Sequence, residues 1–312
     1  VLQTPLGRCR SSPMPPALRA KLDAASTANQ AGVFQVAGAG PQGLTVSGEV
    51  KNYVPVTEAM LRNPDPADWL MINRTFNQHR FSPLNQINKK NVGQLRMAWS
   101  RGLPAGTQET TPIVHRGIIY MFVPGASVQA VNGINGDLIW EYQRDYPKGV
   151  NPQAARNKNL GIYEDMIYFA APDGVLVALD TKNGAVRWET KVDHGGQTAG
   201  GMLIADGKVI TSRTCEMSKR ENCFIAAHDA KTGKELWKFF VTAAPGEPGG
   251  DTWADMPVNQ RAAGPWGLPG SYDPKRKLIY WGVANPNPYT RLTRHGRHDA
   301  VSFTAPANLY SN

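Results

Sequence analysis

Short apolar runs alternate with polar, glycine-bearing turns along this chain, and they do so at a fixed period. Runs of β-branched and aromatic residues (IIYMFV from Ile118, MIYFAA from Met166, KVITS from Lys208) predict strands. Each run is followed by an alanine, a glycine six residues on, and a tryptophan four beyond that. The copies are Ala130/Gly136/Trp140, Ala178/Gly184/Trp188 and Ala227/Gly233/Trp237, which sets the indoles 48 and 49 residues apart. The middle of each copy holds Asn, Asp, Lys and Gly, and glycine supplies the positive φ that a tight hairpin needs. A repeat of this length marks an architecture in which neighbouring units bury one another's apolar faces. Strands, a glycine turn and a packed indole in each unit predict one blade of an all-β propeller.

The repeat also orders the rest of the chain. RMAW, ending at Trp99, reads as a degenerate earlier copy 41 residues ahead of Trp140, and GSYDPKRKLIYWGVAN adds two further strands around a Pro/Lys turn. The first 65 residues are rich in Pro, Gly and Ala, with short helices predicted in PPALRAKLDAAS and VTEAML, the second stopped by NPDPAD. The expected organisation is an extension over residues 1–65 that lies over the propeller, then about four blades over 66–312. Four blades do not close a ring and leave strand edges open. A second polypeptide carrying the remaining blades is therefore expected.

Composition narrows the function classes. Of 312 residues, 41% are hydrophobic and 19% charged, with 31 Gly and 24 Pro, as many short strands joined by turns require. The net charge of +9 is spread out, in short clusters such as Lys89/Lys90, Lys275/Arg276/Lys277 and Arg291/Arg294/Arg297. A nucleic-acid protein would gather such charge on one element with aromatics interleaved, so none is expected as a partner. A solvated basic surface and steering of an acidic partner both remain open. No apolar run approaches bilayer length. The leading VLQTPLGRCR has no initiator Met or apolar signal core and is read as the start of a processed chain. Cys215 and Cys223 flank the charged stretch EMSKREN and form either a disulfide, which implies an oxidising compartment, or two thiols; Cys9 has no evident partner. No C-x2-C, H-E-x-x-H or C-x-x-C-H spacing occurs.

With the repeat in hand, the stretch NPDPADWLMINRTFNQHRFSPLNQINKKNVGQLRMAW over residues 63–99 resembles the lead-in segment of the pyrroloquinoline-quinone (PQQ)-dependent alcohol dehydrogenases. The three tryptophan elements resemble the docking motifs of that family's eight-bladed propeller, and the match over residues 63–312 corresponds to about its first half. The resemblance implies a calcium ion held by Glu216 in TSRTCEMSKREN and by Asn285 in IYWGVANPNPY. Calcium is a hard cation that takes mixed carboxylate, amide and cofactor oxygens. As a Lewis acid it would polarise a quinone carbonyl. Trp266 in AAGPWGLPG corresponds to the tryptophan beneath the planar quinone, where a rigid π surface suits stacking. Glu109 in QETTPIV, Thr198 in QTAGG and Lys158 in NKNLGIY match positions at the cofactor's polar rim; Arg156 is the neighbour that would serve if the register slips. Lysine neutralises a carboxylate without arginine's bidentate fork.

Two departures accompany the likeness. The adjacent cysteine pair that covers one quinone face in many members is absent from NPQAARNKN, which leans towards relatives acting on bulkier alcohols, including sugar or polyol groups. The family's general-base aspartate would lie beyond Asn312. The expected activity is oxidation of an alcohol by hydride transfer to calcium-bound PQQ, with electrons passed to a cytochrome c in the periplasm. A quinone-free propeller acting as an assembly scaffold, and a sugar-binding propeller, share the fold and are separated from this reading by the site residues alone.

Overall fold

The computed structural model describes residues 3–4, 7–8, 43–152, 155, 157–192, 201–213, 220, 223–265, 268–284, 286–288 and 308. The chain divides into two compact units, residues 1–40 and 41–312. In the first, Gln3–Thr4 pairs antiparallel with Gly7–Arg8. Residues 41–65, expected with the extension, fall in the second unit together with all the larger sheets.

Each period of the repeat folds as one up-and-down antiparallel sheet. The first runs through Ile113–His115, Ile118–Val123, Ser127–Asn132 and Leu138–Gln143, with Leu44–Val46 added on its outer edge. The second comprises Gly161–Tyr163, Met166–Ala170, Val175–Asp180 and Val186–Lys191. The third comprises Leu203–Ala205, Lys208–Ser212, Phe224–Asp229 and Glu235–Phe240. Ser271–Asp273 and Leu278–Tyr280 pair as the start of a fourth. These are propeller blades, three with four strands of their own and the beginning of another among the described residues.

The repeated residues have a shared physical role. Within each sheet the alanine lies directly opposite the tryptophan across the outer hairpin: Ala130 with Trp140, Ala178 with Trp188, Ala227 with Trp237. A small side chain there leaves the indole free to reach the next blade. Trp99 Nε1 donates to Gly133 O at 3.0 Å, Trp140 Nε1 to Thr181 O at 3.0 Å, and Trp188 Nε1 to Ala230 O at 3.1 Å. In each case the ring lies against the glycine of the receiving turn. A Cβ on Gly136, Gly184 or Gly233 would sit 2.7, 2.7 or 2.6 Å from the indole, and all three glycines have positive φ. Tyr120 and Tyr168 hydroxyls donate to the same Thr181 and Ala230 carbonyls. No described turn receives Trp237, which is 37% exposed, whereas Trp140 is fully buried.

The glycine turns share one end of the blades with the turns that join first to second strands, and residues 50–69 cross that end. Val50 N donates to Lys182 O, Val56 pairs with Glu164, and Asp206 N donates to Glu58 of the short helix Glu58–Arg62. His115, in the first blade, is fixed between Asp68 Oδ2 at 2.9 Å and Val54 O at 2.8 Å. Trp69 then pairs with Val114, and Phe76 O accepts from Tyr272 N in the fourth blade. Val50, Val56, Leu61, Leu70 and Phe76 join the core cluster that extends through the blades to Tyr272. The helix predicted in VTEAML is thus present, and it ends where expected, before the prolines.

One core position breaks the repeat. Val131 and Leu179 are matched in the third blade by His228, fully buried with neither ring nitrogen hydrogen-bonded among the described residues. The nearest carboxylate oxygen, on Glu235, is 4.0 Å away. Burial pushes the pKa of His228 down to about 4. The folded state then binds fewer protons than the unfolded one between about pH 4 and 6.5, so stability falls as pH is lowered through that window.

Two outcomes follow. Gly184→Ala forces a Cβ into the indole of Trp140 at a positive φ, and should lower stability by about 2–4 kcal/mol in urea unfolding. His228→Leu, which restores the side chain of the second blade, should flatten the fall in urea midpoint between about pH 7 and 5; an undiminished fall would assign the pH response to other groups.

Candidate functional site

The end opposite the glycine turns is built from the segments that lead into the innermost strands and from the links between second and third strands. Hydrogen bonds join these segments across blades. Thr111 N donates to Lys158 O at 2.9 Å, Thr110 Oγ1 to Asn157 O at 2.6 Å, and Thr111 pairs in parallel with Asn159. Asn159 continues the rim to the third blade: its Nδ2 donates to Met202 O at 2.8 Å, and its Oδ1 accepts from Met202 N at 2.9 Å. Three blades therefore share one rigid inner rim.

Glu109 and Lys158, assigned to that rim from sequence, are brought together as an ion pair between the first and second blades. Both are partly buried, at 30% and 25% exposure. Partial burial weakens solvent screening, so the pair presents an acceptor and a cationic donor side by side to a polar ligand. Arg156 and Thr198 lie outside the described residues.

Glu216, Trp266 and Asn285 also lie outside them, but described residues close to these positions in the chain, Ser212 and Arg213, Gly264 and Pro265, and Ala284 and Pro286, make contacts that tie the three stretches together. Ser212, fully buried at the end of its strand and four residues before Glu216, donates its hydroxyl to Pro265 O at 3.1 Å. Pro265 immediately precedes Trp266. Ala284 N donates to Gly264 O at 2.6 Å, and Ala262–Ala263 pairs with Pro286–Asn287, the strand that follows Asn285. The chain flanking all three positions thus converges at this one end. Arg213 N donates to Phe224 O and closes the base of the link that contains Glu216. Cys223 beside it is buried and disulfide-bonded; Cys215 lies outside the described residues. Among the described residues no group of three His, Cys, Asp or Glu side chains could hold a metal ion.

Three arginines at this end escaped the reading of the sequence: Arg213 and Arg261, both essentially inaccessible to solvent, and the partly buried Arg220. Arg220 Nε donates to Thr242 O at 2.6 Å, and its guanidinium lies 4.4 Å from the Phe240 ring centroid and pairs with Glu247. Arg261 donates to three main-chain carbonyls. Their only trace in the sequence is a cation set in a glycine- and proline-rich loop, as in VNQRAAGPW.

The glucose/ethanol/alcohol dehydrogenase β-propeller domain, the PQQ domain, matches residues 69–304. The quinohemoprotein alcohol dehydrogenase ADH-IIG of Pseudomonas putida is 34% identical over 242 residues, covering 71% of this chain and 33% of that protein. The solved structure of ADHIIG from Pseudomonas putida HK5 matches with a TM-score of 0.69 at 28% identity, over 83% of this chain and 40% of that one. A europium-containing methanol dehydrogenase matches with a TM-score of 0.64 at 27% identity, over 73% of this chain and 44% of that one. The chain spans 33%, 40% and 44% of the length of these three proteins. A tryptophan-docked propeller whose rim pairs Glu109 with Lys158, matched by that domain along most of its length, belongs to the PQQ-dependent alcohol dehydrogenase family.

Proposed function

We propose that this chain forms the first blades of a PQQ-dependent enzyme that oxidises alcohols, and that its rim holds the quinone and a calcium ion. The observation that carries the reading is the convergence of the chain flanking positions 216, 266 and 285 at the end that also bears the Glu109–Lys158 pair. The donor set suits the group. Glu216 and Asn285 offer a carboxylate and an amide oxygen, the ligands a hard cation takes. Trp266 offers a flat apolar face for a planar ring system. Lys158, kept in place by Glu109, offers a cation to a quinone carboxylate, and Thr198 offers a hydroxyl to the polar rim. When bound, the quinone supplies the two-electron acceptor that no side chain provides.

The remaining parts come from further blades. Trp237, Leu236 and Phe239 are exposed on the outer strand of the third blade, and Phe81, Ile87 and Met97 are exposed ahead of Trp99, so both edges carry apolar surface suited to more propeller. Those blades bring the aspartate that removes the hydroxyl proton. A rim without an adjacent cysteine pair suits bulky substrates such as sugar or polyol alcohols. Electrons leave to a cytochrome c in the periplasm, where the Cys223 disulfide is stable.

In the protein carrying all its blades, a chelator should abolish the redox-sensitive quinone absorbance, and calcium with PQQ should restore it; europium in place of calcium tests which hard cation the site takes. Glu216→Ala should remove the metal, measured by elemental analysis, together with alcohol oxidation, while the unfolding midpoint stays near that of the parent. Unchanged turnover in that variant would overturn the metal assignment, and a parent protein that never acquires the absorbance would leave a quinone-free scaffold.

A further inference from the structure

Between the last strand of the third blade and the start of the fourth, residues 241–261 form a long loop at the site end. It contains two short 3-10 turns, Gly250–Trp253 and Val258–Gln260. Main-chain hydrogen bonds close successive turns along it, from Glu247 N to Ala244 O through Arg261 N to Val258 O, and two arginines tie those turns to the rest of the chain.

Arg261 is 2% exposed and sits inside the loop's curve. Its Nε donates to Met256 O at 3.0 Å, and its Nη1 donates to Ala243 O at 2.6 Å and Gly250 O at 3.1 Å. The guanidinium carbon lies 5.7 Å from the centre of the Trp253 ring. Burying a cation with carbonyl partners alone is costly, so an apolar residue would fill this place more cheaply if filling were its only task. A planar fork with five donors can hold three carbonyls from three points of a loop; an ammonium offers a single point.

Arg220 is the second of these arginines. Its Nε donates to Thr242 O, and it pairs with Glu247, whose Oε2 also accepts from Ala244 N at 2.7 Å. The placement of the two arginines gives the loop its meaning. Arg220 belongs to the link that contains Glu216, and Arg261 directly precedes Ala262–Ala263, the strand pairing with Pro286–Asn287 that leads to Trp266. Beside the direct Ser212–Pro265 hydrogen bond, the loop is thus a second attachment between the segment of the metal-ligand position and that of the stacking position.

We infer that Arg220 and Arg261 are positioning residues which, through the 241–261 loop, fix the segment bearing Glu216 relative to the segment bearing Trp266 and Asn285. This rests on the proposed quinone site. Its consequence is a quinone affinity set by residues that touch neither quinone nor metal. Partners outside the immediate ligand shell typically change affinity by about 10–100-fold.

The test uses the protein carrying all its blades, with three readouts: PQQ affinity at saturating calcium, amide exchange over residues 243–256, and the unfolding midpoint of the quinone-free form. Arg261→Met should speed exchange across 243–256 and weaken PQQ binding by about ten-fold or more at a midpoint close to the parent's, and Arg261→Lys should recover part of both. Arg220→Met should weaken binding likewise, and the double variant should lose less than the product of the single losses, because both act through one loop. Should Arg261→Met unfold, Arg261→Lys and Arg220→Met carry the comparison. Faster exchange with parental affinity overturns the positioning role, and unchanged exchange overturns the clamp. A parent that binds no PQQ overturns the site itself, an outcome visible before any variant is made.

Discussion

Everything in this chain depends on an indole reaching out of one sheet and into the turn of the next. The contact has two parts that cannot be separated. The indole N–H satisfies a carbonyl at the mouth of the turn, and the ring covers a glycine whose missing Cβ makes the approach possible. An aromatic ring of this size buries about 150–250 Å². The hydrogen bond adds direction, which apolar burial lacks, so the blades take one angle and one register. Alanine opposite each indole completes the unit by leaving room for the ring to leave its own sheet.

That contact divides the work between the two ends of the blades. The glycine turns commit one end to holding blades together, and residues 50–69 seal the same end through main-chain hydrogen bonds and the buried His115–Asp68 pair. The opposite end has no such duty. Its segments are fixed to one another by Thr110, Thr111 and Asn159, so side chains placed there are held by a stiff frame and remain open to a ligand. A site built on rigid elements keeps its geometry better than one built on free loops.

Much of this was legible in the sequence, for a physical reason. The docking contact needs three residue types at fixed offsets, and it leaves a pattern that recurs once per blade; the fold and the helix in VTEAML both follow from local chemistry. The Glu109–Lys158 pair was reachable only by resemblance, since nothing local says that two charges 49 residues apart meet. That residues up to 65 lie over the propeller was an expectation of the sequence, but the contacts by which residues 50–62 seal one end were not legible. The strand-like ones are single bridges to turns of different blades, and such contacts have no periodicity. The buried arginines were hidden likewise, because arginine in a loop ordinarily means solvent, and only the curvature of residues 243–256 turns Arg261 inward.

Where the repeat fails is as informative as where it holds. The first and second blades pass from second to third strand in short turns, Val123 to Ser127 and Ala170 to Val175; the third takes the long way from Ser212 to Phe224. The same blade replaces a core aliphatic with His228 and carries Thr211 and Arg213 fully buried near the site end. His228 and Thr211, whose polar side-chain atoms have no hydrogen bond among the described residues, cost stability relative to the apolar residues the other blades use. A blade that needed only to pack would have no reason to keep them. They share a blade with the long link that contains Glu216 and with the outgoing loop held by Arg220 and Arg261, so these departures from regular packing border the proposed site, and the regular blades serve as its frame.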